Sequence, residues 1–399
     1  MANRSRFDAL ETNAVHGGAP DHVDGAVVTP IFQSANYLMR DEATYDAVRY
    51  IRLHNSPNHH VLQGRLAALE GGEAAFVAAS GMAVISAAIL ALAGNGDHLL
   101  AQSTLYGGTQ SFLDEDAPQL GVSHTSIDIS ADSGPEDWRR ALEPTTKLVL
   151  VESVSNPLME VGNLRTVVDF AREHGLVTLI DNTFATPVNF RPLEIGIDLV
   201  VHSATKYLNG HSDIVAGAVV GSRELVDKVR LKQVHLGAAL DPHACFLLER
   251  GLKTLVLRVE RQNENARRLA EFLASHDAVR RVNYPGLVND PGHRFASELF
   301  SGYGGMLSFY LADPDGADRF LDSLEIPIHA ASLGGVETLV VQPSKSSHLG
   351  QTPEERERLG ITDDLIRVSV GIEHVDELIA DFERALAVVP APVPDRVGA

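Results

Sequence analysis

From residue 97 to residue 221, short apolar runs alternate with amphipathic stretches. The runs "HLLAQS", "VSHTSIDI", "KLVLVES", "LVTLID" and "DLVVHS" are short and rich in β-branched residues, and they predict strands. Between them, residues 107–120, residues 135–142 and "NLRTVVDFAREHG" predict helices with one buried face. Strands separated by helices of this length predict a mainly parallel sheet covered on both faces. Upstream, "VLQGRLAALEGG" and "SGMAVISAAILALAG" predict two more helices, the first closed by a glycine pair. The first sixty or so residues show turn-formers and mixed charge, and read as an extended arm. From about residue 255 the pattern changes to a long helix, strands "GMLSFYL" and "ETLVVQP", and a final helix "VDELIADFERAL". The expected organisation is an arm over 1–60, a large α/β domain over 61–254 and a smaller C-terminal α+β domain over 255–399, ending in a Pro-rich tail.

Charge and cysteine content narrow the function. A net charge of -20 argues against general affinity for nucleic acid or an anionic membrane, so any anion must be captured locally. The single cysteine, Cys245, excludes an internal disulfide framework, and its surroundings "PHACFLLERGL" predict a packed helix with a buried, inert thiol. The longest apolar stretch, "AVISAAILALA", is too short to span a bilayer, and the N-terminus has no apolar leader-like region, so a cytoplasmic location is expected. Arginine greatly outnumbers lysine. That makes Lys206, fenced by hydroxyls and histidines in "HSATKYLNGHSD", worth explaining.

In an open α/β sheet, ligands sit beyond the carboxyl ends of the strands. Three predicted strand ends deliver Glu152 with Asn156 close behind, Asp181 followed by Asn182 and Thr183, and Ser203, Thr205 and Lys206. An aspartate at the end of an apolar strand is costly without a cationic partner, and a pyridinium nitrogen is one. Asp181 and Lys206 would then hold opposite ends of one ring, the arrangement pyridoxal phosphate needs. "ASGMA" sets Ser80, Gly81 and Met82 at a helix start, where free N–H groups favour a phosphate, although Ser80 reads equally as an ordinary N-cap. Tyr106, on the Gly-flanked loop "LYGGT", is suited to the ring face, or else simply caps the core. The histidines His202, His211, His54, His59 and His60, with Asp213, lack a zincin-like spacing, so no metal is expected. No Gly-x-Gly-x-x-Gly follows a strand, which argues against a nicotinamide cofactor.

Taken together, "ASGM", "LYGGT", "SNP", "DNTFATP", "HSATKYLNGHSD", "RGLKTL", "SLGGVETL" and "RVSVGIE" resemble the pyridoxal-phosphate enzymes of cysteine and methionine metabolism, which include cystathionine γ-lyase, cystathionine γ-synthase and methionine γ-lyase. The resemblance runs from about Val28 to Ala387. It implies the fold type I architecture of pyridoxal-phosphate transferases, with a mainly parallel seven-stranded sheet and a smaller C-terminal domain. It implies that Lys206 holds the cofactor and moves protons, Asp181 pairs with the ring nitrogen, and Tyr106 stacks on the ring and serves as a second acid and base. Gly81, Met82, Ser203 and Thr205 resemble the phosphate ligands, and Thr183 belongs to the same cofactor set. Asn156 resembles the residue near the cofactor's phenolic oxygen and the substrate, and Arg367, with Ser332 beside it, resembles the anchor of the substrate carboxylate. Tyr50 and Arg52 resemble a Tyr-x-Arg element that reaches the phosphate of a neighbouring subunit, implying a homotetramer built from dimers that share active sites.

The sequence departs from the family pattern at three places. Ser56 stands between Asn55 and Pro57, Arg49 precedes Tyr50 where cystathionine-cleaving members often carry glutamate, and Gly108 stands where typical methionine γ-lyases carry cysteine. The expected activity is γ-elimination from a sulfur amino acid such as cystathionine, methionine or homocysteine, giving 2-oxobutyrate, ammonia and a thiol. The alternatives are γ-replacement, as in a cystathionine γ-synthase or an O-acylhomoserine sulfhydrylase, and the β-lyase reaction. A non-catalytic binding protein on the same scaffold is the alternative from another class.

Overall fold

The computed structural model describes residues 6–18, 22–130, 133–347, 349–350 and 352–389. The Pro-rich tail from residue 390 onward lies outside them. The chain divides into two compact units, one of residues 1–153 and 162–257, the other of residues 154–161 and 258–399.

The first unit is built on seven strands: β1 (Ala74–Ala78), β2 (His98–Gln102), β3 (Ser123–Ile127), β4 (Thr146–Glu152), β5 (Val177–Asp181), β6 (Leu199–Ser203) and β7 (Gly217–Gly221). Their order is β1-β7-β6-β5-β4-β2-β3. Strands β6, β5, β4, β2 and β3 are parallel, and β7 runs antiparallel to both of its neighbours. The central strands carry continuous apolar runs because both of their faces are covered. Leu99, Leu148, Leu150, Leu179, Leu199 and Val201 share one core with the helix Gly81–Leu92 and with Val226 and Val229 of the helix Arg223–Leu236. The helix Leu164–His174 packs on β5 through its apolar stripe of Leu164, Val167, Val168 and Phe170. It is capped by the Asn163 side chain and ended by Gly175 at φ 66°. Each such leucine or valine, fully buried, stabilises the fold by ~1.5–3 kcal/mol.

Two differences from the sequence pattern have simple causes. The arm contains a helix, Leu10–His16, seated on the helix Pro57–Glu70, where an irregular stretch was expected. Its seven residues are too few for a period to stand out; Asn13 and Ala14 are buried, and Asn13 bonds the Phe7 backbone through both side-chain atoms. The helix beginning at Pro57 starts four residues earlier than "VLQGRL" suggests. Ser56 is its N-cap and Pro57 its first residue, which gives the extra Ser56 of the arm a structural purpose.

The second unit carries a five-stranded sheet of β8 (Val279–Asn283), β9 (Met306–Leu311), β10 (Ile328–His329), β11 (Leu339–Val341) and β12 (Leu365–Ser369), ordered β10-β11-β12-β9-β8. All pairs except β10 with β11 are antiparallel. The helix Val375–Leu386 packs Leu378, Phe382 and Leu386 into its core beside Phe309 and Phe320.

Candidate functional site

The carboxyl ends of β4, β5 and β6 collect the polar residues of the first unit. Glu152 pairs with Asp181 across β4 and β5, and Asp181 with Val201 across β5 and β6. Paired residues of adjacent strands face the same way, so Glu152, Asp181 and Ser203 share the sheet face that meets the helix Gly81–Leu92. Asp181 Oδ1 accepts from the Thr183 backbone N–H at 2.9 Å and from the Thr183 hydroxyl at 2.5 Å. That hydroxyl oxygen in turn accepts from the Ser203 N–H at 2.8 Å, tying the end of β5 to the end of β6. Lys206 follows β6 in a tight turn, its N–H bonded to Ser203 O at 3.1 Å.

Both carboxyl groups resist ionisation. Burial pushes Glu152 well above its ordinary value, and the neighbouring Asp181 charge adds to this. Burial raises Asp181 too, opposed by the Thr183 bonds and by His202. A buried carboxyl, Glu152, and a half-buried one, Asp181, at paired positions suit a site that receives a cation, since a protonated ring nitrogen at Asp181 offsets the cost of desolvating its charge.

The rest of the cradle is set by close approach. A Cβ on Gly81 would lie 2.9 Å from Ser203 Cβ, and one on Gly217 would lie 2.0 Å from Ser80 O. Glycine at both positions brings the helix N-terminus against the end of β6, where backbone N–H groups and a hydroxyl can share one phosphate. Ser80 itself is the N-cap, its hydroxyl accepting from Ala83 N at 3.1 Å. The Thr205 hydroxyl exchanges hydrogen bonds with Ala216, donating at 3.2 Å and accepting at 3.0 Å.

Tyr106 is 46% exposed, and its backbone N–H donates to Glu152 Oε1 at 2.6 Å. A Cβ on Gly108 would lie 2.7 Å from the Tyr106 ring and 3.3 Å from Met82 Sδ, so Gly108 leaves the ring room to lie against that turn. Among the described residues, the structure thus gathers Gly81, Met82, Tyr106, Asp181, Thr183, Ser203, Thr205 and Lys206 at one sheet edge. A half-buried acid, a helix N-terminus, a half-exposed aromatic ring and a lysine are the groups pyridoxal phosphate requires, and these residues fit it.

Tyr50 and Arg52 have other partners within the chain. Arg52 donates to Val234 O at 3.1 Å and to the Tyr45 hydroxyl at 2.6 Å, and the Tyr50 N–H donates to Asn55 Oδ1 at 2.9 Å. His202 bonds Glu70 and His211 bonds Asn209 O. Cys245 is fully buried, and burial pushes its thiol up.

The second unit holds its own cluster. Arg367, on β12 and buried, donates from Nη1 to Asn156 Oδ1 at 2.9 Å and from Nη2 to Ser332 O at 3.2 Å. Ser332 sits at φ 112°, a region that L residues rarely adopt, and its loop is tied down where Gly334 N donates to Ser369 Oγ at 2.8 Å.

Sequence reasoning placed Glu152 at the sheet edge without a role, and it missed the Thr183 clasp on Asp181. Glu152 was visible as the polar end of an apolar strand. The clasp depends on the register of β5 and β6, which no local pattern reveals.

Known proteins are similar to this chain over nearly its whole length. Residues 11–387 match the family of Cys/Met metabolism PLP-dependent enzymes. The chain is 41% identical to the cystathionine beta-lyase MetC of Bacillus subtilis (strain 168) over 386 residues, covering 96% of this chain and 97% of that protein. It is also 41% identical to the L-methionine gamma-lyase of Pseudomonas putida over 399 residues, covering 97% and 99%. Among solved structures, cystathionine gamma synthase from Xanthomonas oryzae pv. oryzae, in complex with aminoacrylate and cysteine, superposes with a TM-score of 0.91 at 36% identity, covering 97% of this chain and 100% of that one. With a lysine, a half-buried aspartate and a helix N-terminus meeting at one end of a seven-stranded sheet, and with similarity over nearly its whole length, this chain belongs to the PLP-dependent enzymes of cysteine and methionine metabolism.

Proposed function

We propose that the protein is a carbon-sulfur lyase that carries out γ-elimination on a sulfur amino acid, cystathionine, methionine or homocysteine, releasing 2-oxobutyrate, ammonia and a thiol. The observation that carries this reading is the half-exposed Tyr106, whose backbone N–H is held by Glu152 at the same sheet edge as Lys206. It gives the site a second acid and base, which a reaction that breaks a bond two carbons from Cα requires.

The cofactor, when bound, supplies the sink for the electron pair left at Cα. Lys206 would hold it and, freed by the substrate amine, would take the Cα proton, hand that proton on, and only then, as a free amine again, take a proton at Cβ. Asp181, held by Thr183, keeps a proton on the ring nitrogen. Tyr106 gives a proton to the departing sulfur. Gly81, Met82, Ser203 and Thr205 take the phosphate, Thr183 supports Asp181, and Arg367 with Asn156 and Ser332 takes the substrate carboxylate.

The arm belongs to the same proposal. Val27, Leu38 and Met39 are 84%, 90% and 70% exposed, apolar surface that a neighbouring subunit would cover, and Tyr50 and Arg52 of that arm would complete the neighbour's phosphate site. This supports a homotetramer of active-site-sharing dimers. No helix among the described residues is long and apolar enough to cross a membrane, and we place the enzyme in the cytoplasm with a small amino acid as its substrate.

A β-lyase is the second reading, favoured by the similarity to the Bacillus cystathionine beta-lyase, which equals that to the methionine gamma-lyase. The test is to give the cofactor-loaded enzyme L-cystathionine and, separately, L-methionine, and to identify the oxo acid. 2-Oxobutyrate supports γ-elimination. Pyruvate from cystathionine replaces it with β-elimination, and no oxo acid from either moves the reading to γ-replacement on an activated homoserine ester.

A further inference from the structure

Behind the sheet edge lies a second buried polar pair that the mechanism above leaves unused. His202, on β6, and Glu70, the last residue of the helix Pro57–Glu70, are both 1% exposed, and His202 Nε2 lies 2.5 Å from Glu70 Oε1. The Asn182 side chain donates to the same Glu70 oxygen at 3.2 Å and to Phe190 O at 2.9 Å. Among the described residues, His202 Nδ1, Glu70 Oε2 and Asn182 Oδ1 are buried without a hydrogen-bonding partner.

This is an expensive arrangement for a merely structural contact. Burying an imidazole and a carboxylate together, with one end of each unpaired, is commonly no more stabilising than an apolar pair of the same volume. Its position explains why it is worth keeping. Asn182 and His202 are the next residues after Asp181 and before Ser203, so their side chains point to the face of the sheet opposite Asp181. The pair stands directly behind the carboxylate that faces the cofactor. Among the charged groups that act on Asp181, Glu152, on its own face, opposes its ionisation, and His202, behind it, favours it.

We propose that His202 is a positioning residue for Asp181: anchored through Nε2 by Glu70, it stands behind the sheet where it favours the ionised Asp181 carboxylate, and with it a proton on the cofactor's ring nitrogen. This rests on the assignment of Asp181 and Lys206 made above. Weakening the pair leaves the cofactor bound, makes the ring a poorer electron sink and raises the pH midpoint of the Lys206-linked visible band, because a less protonated ring withdraws less charge from the linkage.

The test uses holoenzyme of wild type, His202→Gln and Glu70→Gln, two variants so that the result does not depend on the folding of either alone. The visible absorption is titrated with pH, kcat and KM are measured, and apoprotein melting is followed by circular dichroism. The expected result is an upward shift of the spectral midpoint by roughly half a unit or more and a loss of about tenfold in kcat, with KM within about twofold. An unchanged midpoint and kcat in a folded variant, with only a lower melting temperature, would overturn the proposal and leave the pair structural. Lys206→Ala serves as the control: if it keeps the visible band, the site assignment itself has failed, whereas a wild-type band that the two variants do not move defeats only the positioning role.

Discussion

Asp181 illustrates how little of a residue's chemistry is its own. A carboxylate at the end of an apolar strand would rather be neutral, and it is the Thr183 clasp at 2.5 and 2.9 Å and the His202 behind it that oppose burial. Lys206 is the residue whose removal is most informative. Lys206→Ala should abolish oxo-acid formation and the visible band of the bound cofactor while the far-ultraviolet circular dichroism stays native, and full activity in that variant would refute the assignment. Arg367 is tested more gently. Arg367→Lys keeps the charge but loses the fork that reaches Asn156 and Ser332 together, and the loss of one charge-assisted bond is worth ~1.5–3 kcal/mol, roughly ten- to hundredfold. The expected outcome is a rise in KM of that order with a smaller change in kcat, read from initial rates across substrate concentration.

At the scale of elements, the site depends on β7, a strand the sequence hides. "GAVVG" is short and bracketed by glycines, the usual mark of a turn, and β1, "AAFVA", is rich in alanine, a poor strand former. Both become strands because β7 completes the hydrogen bonding of β6 on one side and of β1 on the other. Gly217 begins β7 against the Ser80 carbonyl, and no side chain fits there. Gly217→Ala should cost ~1–3 kcal/mol and loosen the cofactor, because either β7 or the Ser80–Gly81 turn has to move. Thermal melting of the apoprotein and equilibrium binding of the cofactor measure the two effects separately. If both stay at wild-type values, the close approach does not constrain the cradle.

For the whole molecule, pH sensitivity follows from two buried histidines, His54 and His59. Burial pushes His54 down to about 4 and His59 to about 3, while His54 Nδ1 bonds Val77 O and His59 Nε2 bonds Leu240 O. Their folded pKa values lie below the ordinary value near 6.5, so the unfolded chain takes up protons first as pH falls. The stability associated with neutral histidine is complete above pH about 6.5 and is lost as pH drops toward 4 and 3. Glu152 and Asp181 act with the opposite sign, since their raised values mean the folded state holds its protons longer as pH rises. Urea unfolding at pH 7 and pH 4.5 should therefore show a lower midpoint in acid. His59→Gln should be less stable at pH 7 yet lose less on acidification, and an equal loss in both proteins would show that His59 does not set the acid limit.

The alternation of apolar runs and amphipathic helices determined by itself that there is a largely parallel sheet, because hydrophobic burial at fixed periods is a local property of the chain. Asp181, Lys206 and Tyr106 were legible in the same way, as costly or unusual residues at the ends of those runs. Tertiary structure alone decided which of them meet: Thr183 clasping Asp181 and bonding the Ser203 N–H, Glu152 holding the Tyr106 loop across 46 residues, and Glu70 reaching His202 across 132. Strand register and helix packing bring these partners together through contacts between segments distant in the chain, and no local periodicity encodes which residues will face one another.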